Sequence, residues 1–285
     1  MLAAGGEAAY ISEPLNVWHR PGVMRVPVEH WYFYVCTDND GVYLPALRET
    51  LSFQYHVWDE IKSLRSGRDL LRMARDWNAF LKGSIRKQCP LIKDPFAVFS
   101  APWFADQLKC QVVITVRHPA AFASSLKRLK WSFEFQDLLD QPMLMRDWLE
   151  PYRAEMSAMP PGDVIGQSSL LWRMIYQTVG TYRQTHPDFQ LVRHEDLSLD
   201  PVNGYQALYT SLGLQFTSKA KEAILRSSSP ENPKEISKES VHATKLDSRA
   251  NLYNWKHRLN IQEITRIRQL TEDIASSYYP EGDWE

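Results

Sequence analysis

Apolar positions in this chain fall into two patterns. Short runs rich in β-branched residues alternate with longer stretches of helical period. Four of the short runs read as strands: Ala8–Ser12, ending at Glu13-Pro14; Pro90–Ile92, ending at Lys93-Asp94-Pro95; Gln111–Val116 (QVVITV), ending at Arg117; and Phe189–Arg193, ending at His194-Glu195-Asp196. A short continuous apolar run suits a strand buried in a parallel sheet. Leu51–Lys82 is helical in composition, with Leu64, Leu70, Leu71, Met73, Ala74, Trp77 and Phe80 as its apolar stripe and Gly67 as a break. Its many arginines and lysines read as a solvated face. Ser100–Leu108 is expected as a helix starting at Pro102, and Pro119 opens another that carries Ser124 and Ser125, since proline suits a first helical turn.

Further on, Asp163–Thr185 predicts a long helix with Leu170, Leu171, Met174, Ile175, Val179 and Tyr182 near one face. Asp200-Pro201 opens a helix that runs to Leu212 and stops at Gly213. Thr217 caps a short helix over Ser218–Arg226. Asn260 and Glu263 have the spacing of a capping box, and Ile261, Ile264, Ile267, Leu270 and Ile274 form the face expected to be buried in that last helix. Three stretches are less regular. Asn16–Thr50, rich in proline and aromatics, reads as loops and short helices that shape a pocket. Residues 133–161 read as a helical insertion or lid, and residues 227–248 as a mobile polar loop. No repeat or linker divides residues 1–285, which are expected to form a single domain. Strands alternating with helices indicate an α/β fold with a parallel sheet.

Composition narrows the partners. The chain has 33 basic and 34 acidic residues, so nothing points to bulk nucleic-acid binding, and an anionic ligand must be held by locally placed cations. Three cysteines without close spacing fit neither a disulfide framework nor a zinc site. They suggest a reducing compartment, the cytoplasm. The eight histidines lack metal-ligand spacing. No run approaches the roughly 18 apolar residues of a membrane span, and the N-terminus has no cationic signal-peptide start.

The chemistry is concentrated at strand ends. Arg117 follows a buried strand and stands beside a helix N-terminus; Lys93 ends another strand in the same way. In open α/β sheets ligands bind outside the carboxyl ends of strands, and helix N-termini favour anions. Each cation taken alone reads as an ordinary solvated charge at a strand end. Together they suggest a ligand with more than one anionic group.

KDPF at Lys93–Phe96, then VRHP with Arg117 twenty-four residues beyond Lys93, then Ser125 eight further on, resembles the core of the sulfotransferases that use 3′-phosphoadenosine 5′-phosphosulfate. The likeness is greatest to the branch of tyrosylprotein and bacterial sulfotransferases. The resemblance implies a three-layer α/β fold, a parallel sheet flanked by helices with P-loop-kinase-like topology. It implies transfer of a sulfuryl group to the hydroxyl of a small molecule, carbohydrate or peptide, with adenosine 3′,5′-bisphosphate as product and no metal. Arg117 and Ser125 match the residues that hold the 3′-phosphate; an arginine fork with a hydroxyl suits a phosphate dianion. His194 stands where relatives carry a tyrosine, in a Y-E-D-type motif, and would stack near the adenine. Arg249, in the segment Ser248–Trp255, would reach the 3′-phosphate, while Trp255 would anchor the last helix. Lys93 would contact the phosphosulfate and stabilise the leaving phosphate. Glu13 matches the base that takes the acceptor's proton. Asp94, Pro95, Glu195 and Asp196 read as turn, loop and cap residues, and Ser124 as structural.

The pattern departs from the family at the N-terminus. Relatives hold the 5′-phosphosulfate in a Gly/Ser/Thr-rich loop before a helix. No such loop occurs in this sequence, and Gly5-Gly6 falls after the place where the family's first helix ends. The register set by Glu13 therefore implies an N-terminally truncated sulfotransferase of weak or absent activity. The alternatives are a degenerate, non-catalytic nucleotide-binding or interaction domain and a P-loop-type kinase. The kinase would need a Walker-type lysine that is absent. Trp18–Tyr34 and residues 133–161 are expected to line the acceptor's side. Oligomeric state is not legible in the sequence.

Overall fold

The computed structural model describes residues 1–235 and 245–284. Strand β1 (Ala8–Ser12) leads through an irregular segment to helices α1 (Asp40–Leu51), α2 (Val57–Ser63) and α3 (Gly67–Ile85). Strand β2 (Cys89–Lys93) is followed by a 3-10 turn over Pro95–Ser100, helix α4 (Ala101–Leu108), strand β3 (Val113–Val116) and helix α5 (Pro119–Leu129). Short helices α6 (Gln136–Leu139), α7 (Pro142–Leu144) and α8 (Arg153–Ala158) precede the long α9 (Val164–Thr185). Then come strand β4 (Gln190–Arg193) and helices α10 (His194–Leu199), α11 (Pro201–Ser211), α12 (Ser218–Ser228), α13 (Ser248–Leu252), α14 (Asn254–Arg258) and α15 (Ile261–Ala275).

Local chemistry explains most boundaries. His118 Nδ1 accepts the Ala120 N–H and so caps α5, whose first residue is Pro119. Asp200 caps α11, and Gly213 takes the left-handed backbone just beyond it. Asn260 and Glu263 form the complete capping box of α15. The helical region expected over Leu51–Lys82 is split. Leu64 is extended, and Ser66 caps α3 by accepting the Asp69 N–H. Inside the stretch read as loops, α1 is a regular helix. Tyr43, Ala46 and Leu47 are buried along it, a helical spacing that the internal Pro45 hides in the sequence. In α15, Ile267 and Ile274 are buried, but Ile261 is exposed at the first turn. Ser227 and Ser228 belong to α12 and Ser248 to α13, and residues 236–244 of the expected mobile loop lie outside the described residues.

The described strands make two separate two-stranded parallel sheets, not one continuous three-layer sheet. In one, β1 lies beside β2, with Ala8 opposite Cys89 and Ser12 opposite Lys93. In the other, β3 lies beside β4, with Val113 opposite Gln190 and Val116 opposite Arg193. The outer edge of β3 shows what replaces a further strand. The Gln190 N–H donates to the Val112 carbonyl, so residues 112, 114 and 116 turn their backbone groups toward β4. Thr115 and Arg117 turn theirs the other way. There the Tyr176 hydroxyl of α9 donates to the Thr115 carbonyl and accepts the Arg117 N–H, each at 3.2 Å. Trp172 Nε1 donates to the Arg117 carbonyl at 2.8 Å. One phenol makes the two bonds that one residue of a neighbouring parallel strand would make.

The principal core surrounds α9. Trp172, Met174, Val179 and Tyr182 are fully buried there with residues of α5, α15 and the short helices between residues 133 and 161. Leu138, Leu144, Met145 and Leu149, from that stretch, are as buried as α9 itself. A second cluster joins Leu15, Met24, Val35 and Leu47 to Trp103 and Phe104, and a third joins Ile11 and Val23 to Phe53 and Phe80.

Candidate functional site

Because paired strands are parallel, their carboxyl ends lie on a common edge, and each pair delivers two of the predicted site residues there. At the first pair, the Lys93 ammonium is ion-paired with the Glu13 carboxylate. Glu13 also accepts from Asn16 Nδ2 at 2.8 Å, and its own N–H donates to the Lys93 carbonyl at 3.0 Å. The Glu13 backbone is left-handed, with φ of 43°. For a residue with a Cβ such a conformation costs on the order of 1–3 kcal/mol and persists only when its surroundings hold it. The turn bonds on both sides of Glu13 do so.

Asp94 braces this edge from below. Its carboxylate accepts the Leu15 N–H at 2.6 Å and the Phe96 N–H at 3.0 Å, so it ties the β2 turn to the β1 turn. Burial pushes its pKa up to about 6, against the pull of those two N–H donors. The turn role expected of Asp94 matches these bonds. Aromatic rings stand beside the pair. The Trp18 N–H donates to Asn16 Oδ1, and the Trp18 ring meets Trp31 edge-on at 5.1 Å. Trp31 in turn packs on Phe96 and Trp131.

At the second pair, Arg117 follows β3 and His194 follows β4. Arg117 Nε is buried without a hydrogen-bond partner. Burial lowers the guanidinium pKa, and the Glu195 carboxylate opposes that shift. Burial, with Arg117 adding like charge, depresses His194 to about 4, so the imidazole is neutral near pH 7. Glu195 accepts the His118 N–H at 3.0 Å and the Tyr279 hydroxyl at 2.8 Å; it fastens α10 to the start of α5 and to the C-terminal segment. His118 stacks on Trp255 at 5.3 Å, and burial holds its pKa near 3. His118 Nε2 and Ser124 Oγ are further buried polar atoms without partners here.

The structure therefore brings Glu13 to Lys93, and His194 to within electrostatic reach of Arg117. Tyr32 stands within electrostatic reach of both Asp94 and Tyr176. Ser125 is half-buried on α5, next to the fully buried Ser124. Arg249 points elsewhere: its Nε and a terminal nitrogen donate to the Leu199 carbonyl at 3.1 and 2.9 Å. With Ser248 Oγ bonded to the Ser198 carbonyl, this clips α13 to α10. Tyr176, Asn16 and the capping His118 were not singled out from the sequence. Only the position of Tyr176, one turn beyond Trp172 on a buried helix, hinted at it.

The residues at the β3 end suit an anion: an arginine nitrogen without a partner, a neutral imidazole and the first turn of α5. Among the described residues, no group of His, Cys, Asp and Glu is placed to hold a metal ion, and no helix is long and apolar enough to cross a membrane. Cys36, Cys89 and Cys110 are free thiols. No family model and no curated protein matches the chain. Among solved structures it is similar to the "Sulfotransferase Domain from the Curacin Biosynthetic Pathway", at 15% identity over 81% of this chain and 79% of that one, with a TM-score of 0.41. So loose an overlap carries no argument about this chain.

Proposed function

We propose that this chain carries a sulfotransferase-type site. A sulfuryl group would pass from 3′-phosphoadenosine 5′-phosphosulfate to a hydroxyl acceptor, and the chain would be a member of the family with P-loop-kinase-like topology. The observation that carries the reading is the pairing of Glu13 with Lys93 at adjacent parallel strand ends. A proton acceptor and a cation stand at one strand edge there, the two kinds of group that a transfer between two oxygens calls on at its attacking and leaving ends. Lys93 would neutralise charge on the leaving phosphate, and Glu13 would take the acceptor's proton. Arg117, with its unpartnered Nε, would hold the 3′-phosphate together with Ser125. His194, neutral and at the end of β4, would face the adenine. Trp18, Trp31 and Trp131, joined to Glu13 through Asn16, would form the acceptor's wall. Arg249 would have to leave the Leu199 carbonyl to reach the nucleotide. Three free cysteines fit a cytoplasmic setting.

A non-catalytic nucleotide-binding module is the second reading. It is favoured by the closure of Lys93 on Glu13, which leaves both groups engaged with each other. Calorimetric titration with adenosine 3′,5′-bisphosphate, with Arg117→Ala as control and ATP as competitor, tests both readings. Binding that is lost in the variant and preferred over ATP is the expected result. Folded protein that ignores the bisphosphate sinks both readings. Binding without sulfuryl turnover, also when a Gly/Ser/Thr-rich phosphosulfate loop is supplied upstream, selects the second.

A further inference from the structure

We infer that α3 is a docking face for an anionic lipid surface. Helix α3 touches the rest of the protein along one narrow side. Phe80 and Gly83 are buried there, and a Cβ at Gly83 would lie 2.7 Å from the Phe53 ring, so the helix is held close at that point. Asp69 fixes its start through Arg20. The other sides are open. Leu70, Trp77, Leu81 and Ile85 are all exposed, with Ile85 71% and Leu71 74% exposed. With Ala74, they recur every three or four residues, which puts Leu70, Ala74, Trp77, Leu81 and Ile85 in one continuous stripe along the helix. A stripe of this kind on a surface helix normally faces a core, yet this one lies to the side of the buried Phe80 and Gly83.

Charge says what would cover it. Residues 65–87 contain seven cations, Arg65, Arg68, Arg72, Arg75, Lys82, Arg86 and Lys87, against two acids, Asp69 and Asp76. The chain as a whole is balanced at 33 to 34. Both acids are already answered, Asp69 by Arg20 and Arg72, and Asp76 by Arg75. Arg68, Lys82, Arg86 and Lys87 have no ion-pair partner among the described residues. At helical spacing Arg68, Arg75, Lys82 and Arg86 fall beyond the apolar stripe on the side remote from Phe80, while Arg72 falls nearer the buried Gly83. An exposed row of Leu, Trp and Ile bordered by cations, most of them without an ion-pair partner among the described residues, is the composition of a helix that lies in a bilayer interface. Its apolar side chains enter the acyl boundary, and its long cationic side chains reach back to the headgroups. A partner helix would call for charges of both signs along the rim, and α3 offers one sign.

The test is co-sedimentation of the full chain with vesicles. One set is pure phosphatidylcholine; the other is equal parts phosphatidylcholine and phosphatidylserine. The expected result is binding to the mixed vesicles only, weakened by added salt. Lys82→Glu with Arg86→Glu should reduce it roughly tenfold or more. Leu81→Asp should reduce it without altering the urea midpoint, because Leu81 is exposed. Equal binding to both vesicle types, or none to either, overturns the inference. So does a concentration-dependent dimer that Leu81→Asp dissolves, because a second copy would then be the occupant.

Discussion

The Lys93 ammonium and the Glu13 carboxylate are paired across the neighbouring ends of β1 and β2. Lys93 is more than half exposed, so the pair contributes about 0–1 kcal/mol to stability. Its removal should scarcely move a urea midpoint. Turnover is where the pair should matter. If the proposed reaction runs in a chain that supplies the donor's grip, Lys93→Ala should slow it about 10²–10³-fold, and Glu13→Gln about 10²–10⁴-fold. Because each residue holds the other, the double variant should lose less than the product of the two effects. A single-turnover assay of the four proteins checks this, and independent, multiplicative losses would show that the pairing has no functional meaning.

The Tyr176 hydroxyl answers two backbone groups at the open edge of β3. Tyr176→Phe removes both bonds while keeping the ring, and it strands a carbonyl and an N–H. A loss of about 1–3 kcal/mol is expected from such groups left without partners. Tyr182→Phe is the comparison, since that hydroxyl donates to the Val98 and Phe99 carbonyls and answers no N–H. Urea titration should rank Tyr176→Phe as the more costly. Equal costs would mean that water replaces the phenol at the edge.

Strand ends and helix caps were legible because short-range chemistry decides them. The four strands, the Thr217 and Asp200 caps and the Asn260–Glu263 box all follow from neighbours within a few residues. The pairing of Glu13 with Lys93 spans eighty residues, yet it was approachable, since both were expected at strand ends. The break into two sheets was not. It depends on Tyr176 and Trp172 meeting the edge of β3, and nothing local distinguishes those residues from other buried aromatics on a helix. The contact of Arg249 with the Leu199 carbonyl was hidden for a similar reason. The clip of α13 to α10 is a tertiary fact, and a cation after a polar loop fits a carbonyl as well as a phosphate. The exposure of α3 was also hidden, because an apolar stripe in a sequence reads as core until a structure leaves it uncovered.

Ser124 and Ser125 are adjacent on α5 but should respond in opposite ways. Ser124 is 1% exposed, and its Oγ is buried without a hydrogen-bond partner. Ser124→Ala removes a hydroxyl that costs desolvation, so stability should stay level or rise by up to about 1 kcal/mol. Ser125 is half-buried, and the proposed function gives it a phosphate contact. Ser125→Ala should leave the urea midpoint unchanged and weaken adenosine 3′,5′-bisphosphate binding about tenfold, the worth of one hydrogen bond to a charged group. If instead Ser124→Ala lost the nucleotide and Ser125→Ala did not, the assignment would move by one residue.

Stability should depend on pH through three buried groups of two kinds. His118 and His194 are depressed to about 3 and about 4 from an ordinary 6.5. Unfolded, each binds a proton below about 6.5; folded, each stays neutral until much lower pH. Their contribution is therefore complete above about 6.5 and is lost as pH falls toward 4 and 3. Asp94, raised to about 6 from 3.8, acts in the opposite sense. Its contribution is present below the unfolded value and is lost as pH rises through about 6. Between pH 4 and 6 the two histidines outweigh the one carboxyl. His118→Asn keeps a side chain able to cap α5 but removes one titration. The variant's unfolding free energy should then be less steep in pH than the wild type's by about 1.4 kcal/mol per pH unit across that window. The slopes are read from urea titrations at several pH values, so a uniform loss from the broken stack with Trp255 does not enter. Parallel slopes would mean that His118 takes up its proton in the folded protein as readily as in the unfolded chain.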